Sequence, residues 1–297
     1  MQQIIHLAAQ LAVKQGYNQT LLPQVGIYKD DHSHGRATLL YNQGIIFVLQ
    51  GEKKIYAKDL VLSYDPAKYL VLTVPLPLAC ETSIKPGKPL LALVLDIDIP
   101  TLNNIIHLMG SSVDFSRYKS SEKDCGLYIA DLVPALKDIL FRLVQLLQKP
   151  TETKILGEGI LRELIFQLLK DEKAAPLYAL AMRNTNLSKI DMALKEIHVN
   201  FDRPLDVEAL AKTVNMSVSS FHHTFKEVTD SSPIQYLKQI RLLKARTFIT
   251  ESGLRVNEAA RKVGYESVSQ FSREFKRYHG APPKDFFLGL RGGIGAG

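Results

Sequence analysis

Only two cysteines, Cys80 and Cys125, occur in this 297-residue chain. That scarcity excludes a disulfide framework as the source of stability and fits thiols kept reduced in the cytosol. Also missing is any stretch approaching the roughly 20 apolar residues that a membrane-spanning helix requires. Met1 to Gly16 lacks the basic start and small-residue cleavage site of an export signal in the right order. Ile4, Leu7, Ala8 and Leu11 have instead the spacing of an amphipathic helix. The expectation is a soluble cytoplasmic protein with no membrane partner. A third scarcity concerns carboxylates. His32-Ser33-His34 puts two imidazoles on one side of a strand, but no acid lies between Arg36 and Tyr41 and the next is Glu52. Without a carboxylate and a third His in register a facial metal triad is not supported. No metal and no cofactor are expected, and the two histidines are read as exposed loop residues.

What is present is a repeat. Ser217-Val218-Ser219-Ser220-Phe221-His222-His223-Thr224-Phe225-Lys226 recurs fifty residues on as Ser267-Val268-Ser269-Gln270-Phe271-Ser272-Arg273-Glu274-Phe275-Lys276. The same register, taken without a gap, matches Glu208-Ala209 to Glu258-Ala259, Lys212 to Lys262 and Pro233 to Pro283. Each copy predicts two short helices around a tight turn, with Gly264 as the left-handed stop of the first helix in the second copy. In the helices that follow, Val218, Phe221 and Phe225, and likewise Val268, Phe271 and Phe275, form one stripe of a 3.6-residue period. That stripe is the expected buried face.

Opposite it fall Ser219, Ser220, His223, Lys226 and Glu227 in the first copy, and Ser269, Gln270, Arg273, Lys276 and Arg277 in the second. Small hydroxyls, amides, imidazole and guanidinium hydrogen-bond base edges, and cations near a helix end suit phosphates. A short helix, a turn and a polar-faced helix make a helix-turn-helix. Charge points the same way. Pro233 to Lys284 holds eleven Lys/Arg against four Glu, an excess of seven that equals the net charge of the whole chain. A basic surface of this kind is the footprint of a partner carrying a dense line of phosphates. Adjacent His222 and His223 diverge by about 100° on a helix, which disfavours a metal site between them.

The run from Ala211 through Met216-Ser217, Phe225-Lys226, Ser232-Pro233, Tyr236-Leu237, Arg241-Leu242 and Ala245 to Gly264-Tyr265, Phe271, Phe275-Lys276-Arg277, Gly280 and Pro283 resembles the DNA-binding domain of the AraC/XylS transcriptional regulators. The resemblance covers residues 190 to 288. It implies two helix-turn-helix units joined by a linker helix, here Pro233 to Ile249, with their second helices in successive major-groove segments of double-stranded DNA. Carried over by position, the base-contact candidates are Ser219, Ser220, His222, His223, Ser269, Gln270, Ser272 and Arg273. The phosphate candidates are Ser217, Lys226, Ser267, Lys276 and Arg277. Asp230 departs from the pattern, standing where the family has Gly and where the second copy has Gly280; a left-handed Asp implies some strain at that helix end.

The preceding two thirds read differently. Ile45 to Leu49, Lys54 to Tyr56, Leu60 to Leu62, Tyr69 to Val74 and Leu90 to Leu95 are short β-rich runs separated by Gln50-Gly51, Asp65-Pro66 and Pro86-Gly87. Such spacing predicts a small antiparallel barrel or sandwich, whose concave interior suits one small ligand. Leu102 to Met109, Ile129 to Leu147 and Ile155 to Leu169 follow as candidate helices, the last two joined by Lys149-Pro150-Thr151. Tyr41 to Gly51, Tyr64-Asp65-Pro66 and Tyr69 to Pro77 are similar to the cupin-like N-terminal domain of one subgroup of the same regulators, over residues 20 to 170. The resemblance implies a regulatory domain, with a small-molecule effector of unassigned identity. Tyr28, Phe47, Tyr56, Tyr69 and Leu93 are pocket candidates by strand position, and ordinary core is the alternative for each.

The expected fold class is therefore α+β. A cupin-like β-barrel with appended helices (1–183), serving regulation and dimerisation, precedes an all-α double helix-turn-helix domain (188–288) and a flexible glycine-rich tail (289–297). The boundary is placed at Asn184 to Lys189, with Ser188 as the cap of the next helix. The expected function is that of a sequence-specific, non-enzymatic transcriptional regulator, an activator by family habit. It would act as a homodimer and contact RNA polymerase where it activates. Two rivals are a cupin metalloenzyme fused to a DNA-binding module and a non-specific architectural DNA binder.

Overall fold

The computed structural model describes residues 2–57, 60–110, 126–182 and 185–286. Cys125, Asn184 and the glycine-rich tail lie outside the described residues. Helix α1 (Gln2–Leu11) comes first. It is followed by strands β1 (Gly16–Gln19), β2 (Val25–Asp30), β3 (His34–Tyr41), β4 (Gly44–Gln50), β5 (Glu52–Ala57), β6 (Leu60–Tyr64), β7 (Lys68–Leu72), β8 (Leu76–Ser83) and β9 (Leu90–Leu95). Then come α2 (Ile99–Met109), β10 (Leu127–Asp131), α3 (Pro134–Leu146), α4 (Pro150–Leu169) and α5 (Ala175–Ala181).

The strands form two antiparallel sheets, in the orders β1-β2-β9-β4-β7-β10 and β3-β8-β5-β6. The N-terminal β domain is as expected, but the two sheets do not close into a barrel. The break lies at the end of β4. Its pairing with β9 shifts register between Val48 and Gln50, and a bulge of this kind bends a strand away from its partner. Gly51 then turns the chain at φ 89°, and the next strand joins the second sheet.

Period-2 alternation gives the larger sheet two unlike faces. Ile27, Phe47, Tyr69, Val71, Leu91 and Leu93 are buried in one core with Ile4 of α1, Leu140 and Leu143 of α3, Leu164 and Leu168 of α4, and Leu177 of α5. Tyr28 and Asp30, the alternate residues of β2, point the other way. Three of the five pocket candidates, Phe47, Tyr69 and Leu93, thus sit in solid core against helices; the Phe47 and Tyr69 rings lie 5.5 Å apart. Tyr56 is on the second sheet, its hydroxyl donating to Glu81 Oε2 at 2.7 Å and its ring under Arg36 at 4.1 Å.

The helix predicted from Ile129 to Leu147 is two elements. Leu127–Asp131 pairs with β7, Leu127 opposite Leu72 and Asp131 opposite Lys68, and α3 begins only at Pro134. Periodicity cannot separate a short apolar run in a strand from one in a helix. Here the unpaired edge of β7 decided the matter, and Pro134 suits a first helical position.

A second unit is all helical: α6 (Asn186–Val199), α7 (Val207–Thr213), α8 (Val218–Thr229), α9 (Pro233–Thr250), α10 (Val256–Lys262) and α11 (Val268–His279). The chain divides into compact units between Asp191 and Met192, inside α6, with Thr38–Leu40 grouped with the second unit. The cap of α6 is Thr185, whose Oγ1 accepts the Ser188 N–H at 3.1 Å; this is three residues earlier than the sequence placed the cap, and Ser188 lies within the first turn.

Phe47 is 0% exposed, so Phe47→Ala should remove about 3–5 kcal/mol from the stability of the N-terminal unit, read by urea unfolding of the full chain. A loss below ~1 kcal/mol would place the ring beside an opening rather than in core.

Candidate nucleic-acid interface

Each helix-turn-helix is built from a capped pair. Asp206 Oδ1 accepts the Ala209 N–H at 3.0 Å to start α7, and Ser217 Oγ accepts the Ser220 N–H at 3.3 Å to start α8. In the second unit the Arg255 N–H donates to Glu258 Oε2 at 2.9 Å before α10, and Ser267 Oγ accepts the Gln270 N–H at 3.2 Å before α11. A serine hydroxyl that accepts a helix N–H keeps its own O–H to donate. Ser217 and Ser267 can therefore cap and still reach a phosphate oxygen.

The gap-free register does not survive in three dimensions. The first helices begin at Val207 and Val256, 49 residues apart, whereas the second begin at Val218 and Val268, 50 apart. The left-handed turn residues are Asn215 at φ 55° and Gly264 at φ 80°, again 49 apart. The second turn is one residue longer, with Glu266 as the added residue. Serine-rich second helices align well enough to hide a single insertion upstream of them.

Beneath α8, Phe221, Thr224, Phe225 and Val228 are buried, while Val218 is 40% exposed and falls outside the predicted stripe. Phe225 meets Phe221 at 5.5 Å and Tyr236 of α9 at 5.6 Å. Under α11, Phe271 and Phe275 pack with Leu242, Ala245 and Ile249 of α9 and Ala259, Ala260 and Val263 of the α10 region. The outer faces are polar as predicted: Ser219, Ser220, His222, His223, Lys226, Ser269, Gln270, Arg273, Lys276 and Arg277 are exposed, and Ser272 is half-buried.

Not all of these side chains are equally available. His223 Nε2 lies 3.2 Å from Glu227 Oε1. Gln270 Nε2 donates to Glu274 Oε1 at 3.0 Å, and the Tyr265 hydroxyl donates to Glu274 Oε2 at 2.8 Å. Glu274 is partly buried, which opposes its ionisation. The bonds from Gln270 and Tyr265 and the charges of Lys238 and Arg277 outweigh that, and its carboxyl lies below the usual range. Sequence reading passed over Glu274, although Gln270 and Glu274 have the i, i+4 spacing of neighbours on a helix. For Arg273 no hydrogen bond or ion pair is found among the described residues.

Arg241 of α9 ties the second unit to the linker. Its Nε donates to the Phe201 carbonyl at 2.7 Å, Nη2 to the Arg203 carbonyl at 2.7 Å and Nη1 to the Gly264 carbonyl at 3.2 Å. Gly264 is held there by necessity. Its φ is in the left-handed region, and a Cβ would collide with the Asp202 carbonyl oxygen. Asp230 and Gly280 end the two recognition helices in left-handed conformation, at φ 60° and 81°. Asp230 thus adopts the conformation its position demanded, the strained one for a residue with a Cβ.

Two clefts of the N-terminal unit lie away from the predicted pocket residues. One of about 600 Å³ is lined by Gln3, Ile4, Leu49, Pro66, Leu132, Lys137 and Phe141 among others, and one of about 500 Å³ by Ile5, Gly51, Glu52, Asp65, Ser83 and Lys85 among others. None of the five pocket candidates lines either. His34 Nε2 lies 3.0 Å from Asp30 Oδ1 and the His32 N–H donates to the same carboxylate at 3.1 Å. Among the described residues no three His, Cys, Asp or Glu side chains gather as metal ligands, and no helix is long and apolar enough to cross a membrane.

Two expected outcomes follow from this geometry. Gly264→Ala should cost the helical unit at least roughly 1–3 kcal/mol through backbone strain alone, read from its chemical unfolding midpoint; an unchanged midpoint contradicts the assignment. His198 accepts or donates at 2.8 Å to Tyr236, and His279 packs on Phe275 at 4.3 Å. Burial, with Lys244 nearby for His198 and Arg246 for His279, lowers both pKa values to about 4. The unfolded chain then binds more protons between about pH 4 and 6.5, so this stability is complete above about 6.5 and is lost as pH falls toward 4. Urea midpoints should be lower at about pH 5 than at about pH 7.5, and a His198→Gln/His279→Gln variant should narrow the difference.

Comparison with known proteins gives three kinds of match. The family model of the AraC-type transcriptional regulator N-terminus matches residues 21–176, and a helix-turn-helix domain model matches residues 210–288. Among curated proteins, the chain is 29% identical over 116 residues to the regulator GbdR of Pseudomonas aeruginosa, covering 39% of this chain and 31% of that protein. It is 37% identical over 98 residues to the regulator AlkR of Acinetobacter baylyi, covering 33% of this chain and 32% of that one. The aligned part thus spans about a third of the length of these relatives. Among solved structures, ToxT of Vibrio cholerae with unsaturated fatty acid bound superposes with a TM-score of 0.62 at 14% identity, covering 94% of this chain and 99% of that one. That likeness establishes the fold. With the N-terminal family match running across more than half of the chain and the paired helix-turn-helix units behind it, this chain belongs to the AraC/XylS family of transcriptional regulators.

Proposed function

We propose that the protein is a sequence-specific DNA-binding transcriptional regulator, with residues 188–288 as the DNA reader and residues 1–183 as the regulatory domain. The observation that carries this reading is the pair of capped helices α8 and α11. Each buries its aromatic stripe and turns a polar face outward, and α11 lies in the stretch from Pro233 to Lys284 that holds seven excess positive charges. The exposed hydroxyls, imidazoles and amide of Ser219, Ser220, His222, His223, Ser269 and Gln270 contact base edges, with Ser272 and Arg273. Ser217, Lys226, Ser267, Lys276 and Arg277 hold phosphates. Arg273 is the strongest single reader, because guanidinium makes the commonest bidentate contact to guanine and its donors are free of partners among the described residues. Gln270 and His223 contribute less, since reaching a base means giving up Glu274 or Glu227.

A small-molecule effector acts through the N-terminal unit by favouring one DNA-binding state over another, which is the only way a ligand shifts occupancy. The fatty acid bound to ToxT, whose fold is shared, supports a small-molecule effector. The proposal includes homodimerisation, and contact with RNA polymerase at activated promoters. Exposed Ile155 and Leu156 of α4, at 73% and 52%, support a protein-facing surface.

Genome-wide mapping of bound sites supplies the operator on which the reading is tested. On that duplex Arg273→Ala should cost roughly 1–3 kcal/mol and relax preference at about one base position. Equal weakening on every sequence at matched salt would remove the base-reading role.

A further inference from the structure

Between the two sheets of the N-terminal unit lies a buried lysine. Lys53 occupies the inner face of β5, opposite Thr82 of β8 and Tyr64 of β6, and is 7% exposed. No hydrogen bond or ion pair of its ammonium is found among the described residues. Its neighbours are rings: Nζ is 5.4 Å from the centroid of Tyr28 on the other sheet and 5.2 Å from that of Tyr41 on β3. The Tyr41 and Tyr64 hydroxyls are 3.4 Å apart, and Cys80 is buried beside them. Burial raises the pKa of Tyr28, Tyr41 and Tyr64, so all three are neutral hydroxyls and none supplies negative charge. Asp30 on the same side is already held by the Gln15 amide, the His32 N–H and His34. Burial lowers the Lys53 pKa, with Cys80 and Asp30 opposing it only in part.

An ammonium buried without a carboxylate in direct contact is costly unless something else supplies the charge, and Asp30, bonded to three other donors, offsets that burial only in part. We infer that Lys53 anchors a small organic monocarboxylate between the sheets, with phenol hydroxyls as further donors and Ile55 and Leu78 as apolar neighbours. One ammonium with no direct carboxylate contact suits a single negative charge; a phosphate dianion would need more donors than one lysine and neutral phenols provide. This rests on the reading of the N-terminal unit as the effector-binding one, and names the class of its ligand.

The test uses the full chain, labelled at lysine side chains for NMR, with octanoate and benzoate as probes and inorganic phosphate as comparator. Thermal stabilisation and operator affinity are measured in the same samples. The Lys53 signal is expected to titrate at higher pH when either acid is added and to respond less to phosphate. Stabilisation by the acids should weaken by roughly tenfold or more in apparent affinity in Lys53→Gln and in Lys53→Met, the worth of one charge-assisted hydrogen bond. A Lys53 signal that neither acid moves overturns the inference, and needs no variant to fold. Equal stabilisation of wild type and both variants also overturns it, by placing the acid elsewhere, while leaving the effector reading intact. A shifted Lys53 signal with unchanged operator affinity supports the site and counts against the effector reading.

Discussion

Three backbone carbonyls, those of Phe201, Arg203 and Gly264, converge on one guanidinium, Arg241. The placement of the second recognition helix depends on this contact. A helix-turn-helix reads bases only when its second helix is held at a fixed angle to its supports, and the short α10 has too few turns to fix itself. Arg241 reaches from the long linker helix α9 to the turn residue that starts the second half of the unit. Gly264 must then be glycine, because the same turn brings its Cα against the Asp202 carbonyl. Tyr265, the next residue, passes the constraint to α11 through Glu274. A packed chain of backbone carbonyl, guanidinium, phenol and carboxylate therefore sets the direction in which Arg273 points.

The two helix-turn-helix units solve one problem by different means. The first uses Asn215 at its left-handed turn and Asp230 at its helix end, where the second uses Gly264 and Gly280. Side chains that tolerate φ > 0 poorly are admitted where there is room for a Cβ, and Gly264 sits where there is none. Identical apolar positions account for the shared fold, and the polar positions between them differ, as two readers of two surfaces require.

In the N-terminal unit the two faces of the larger sheet divide labour. One face is closed by α1, α3, α4 and α5 over a continuous apolar core. The other meets the smaller sheet across tyrosines, a thiol, an aspartate and Lys53. Aromatic strand residues looked alike in the sequence, and only their parity along each strand separates Phe47 and Tyr69, which are core, from Tyr28, which faces the buried ammonium. Lys53 itself was passed over because a lysine in a strand of mixed residues reads as solvent-facing. Its burial follows from pairing with both β6 and β8, which the sequence does not announce.

The local chemistry of the C-terminal half was legible from sequence. Helix stops at glycine, serine caps, the stripe of phenylalanines and the exposed polar faces are set within a few residues of each position, so spacing reveals them. The boundary of β10, the open rather than closed sheets, the one-residue offset between the two copies, the Arg241 contacts and the burial of Lys53 were decided by tertiary structure. Each depends on groups far apart in the chain: β7 offering an edge to β10, the bulge before Gly51 sending the chain to another sheet, Asp202 lying against Gly264. Hydrogen bonds and burial between distant segments leave no period in the sequence, and so they are determined only when the chain has folded.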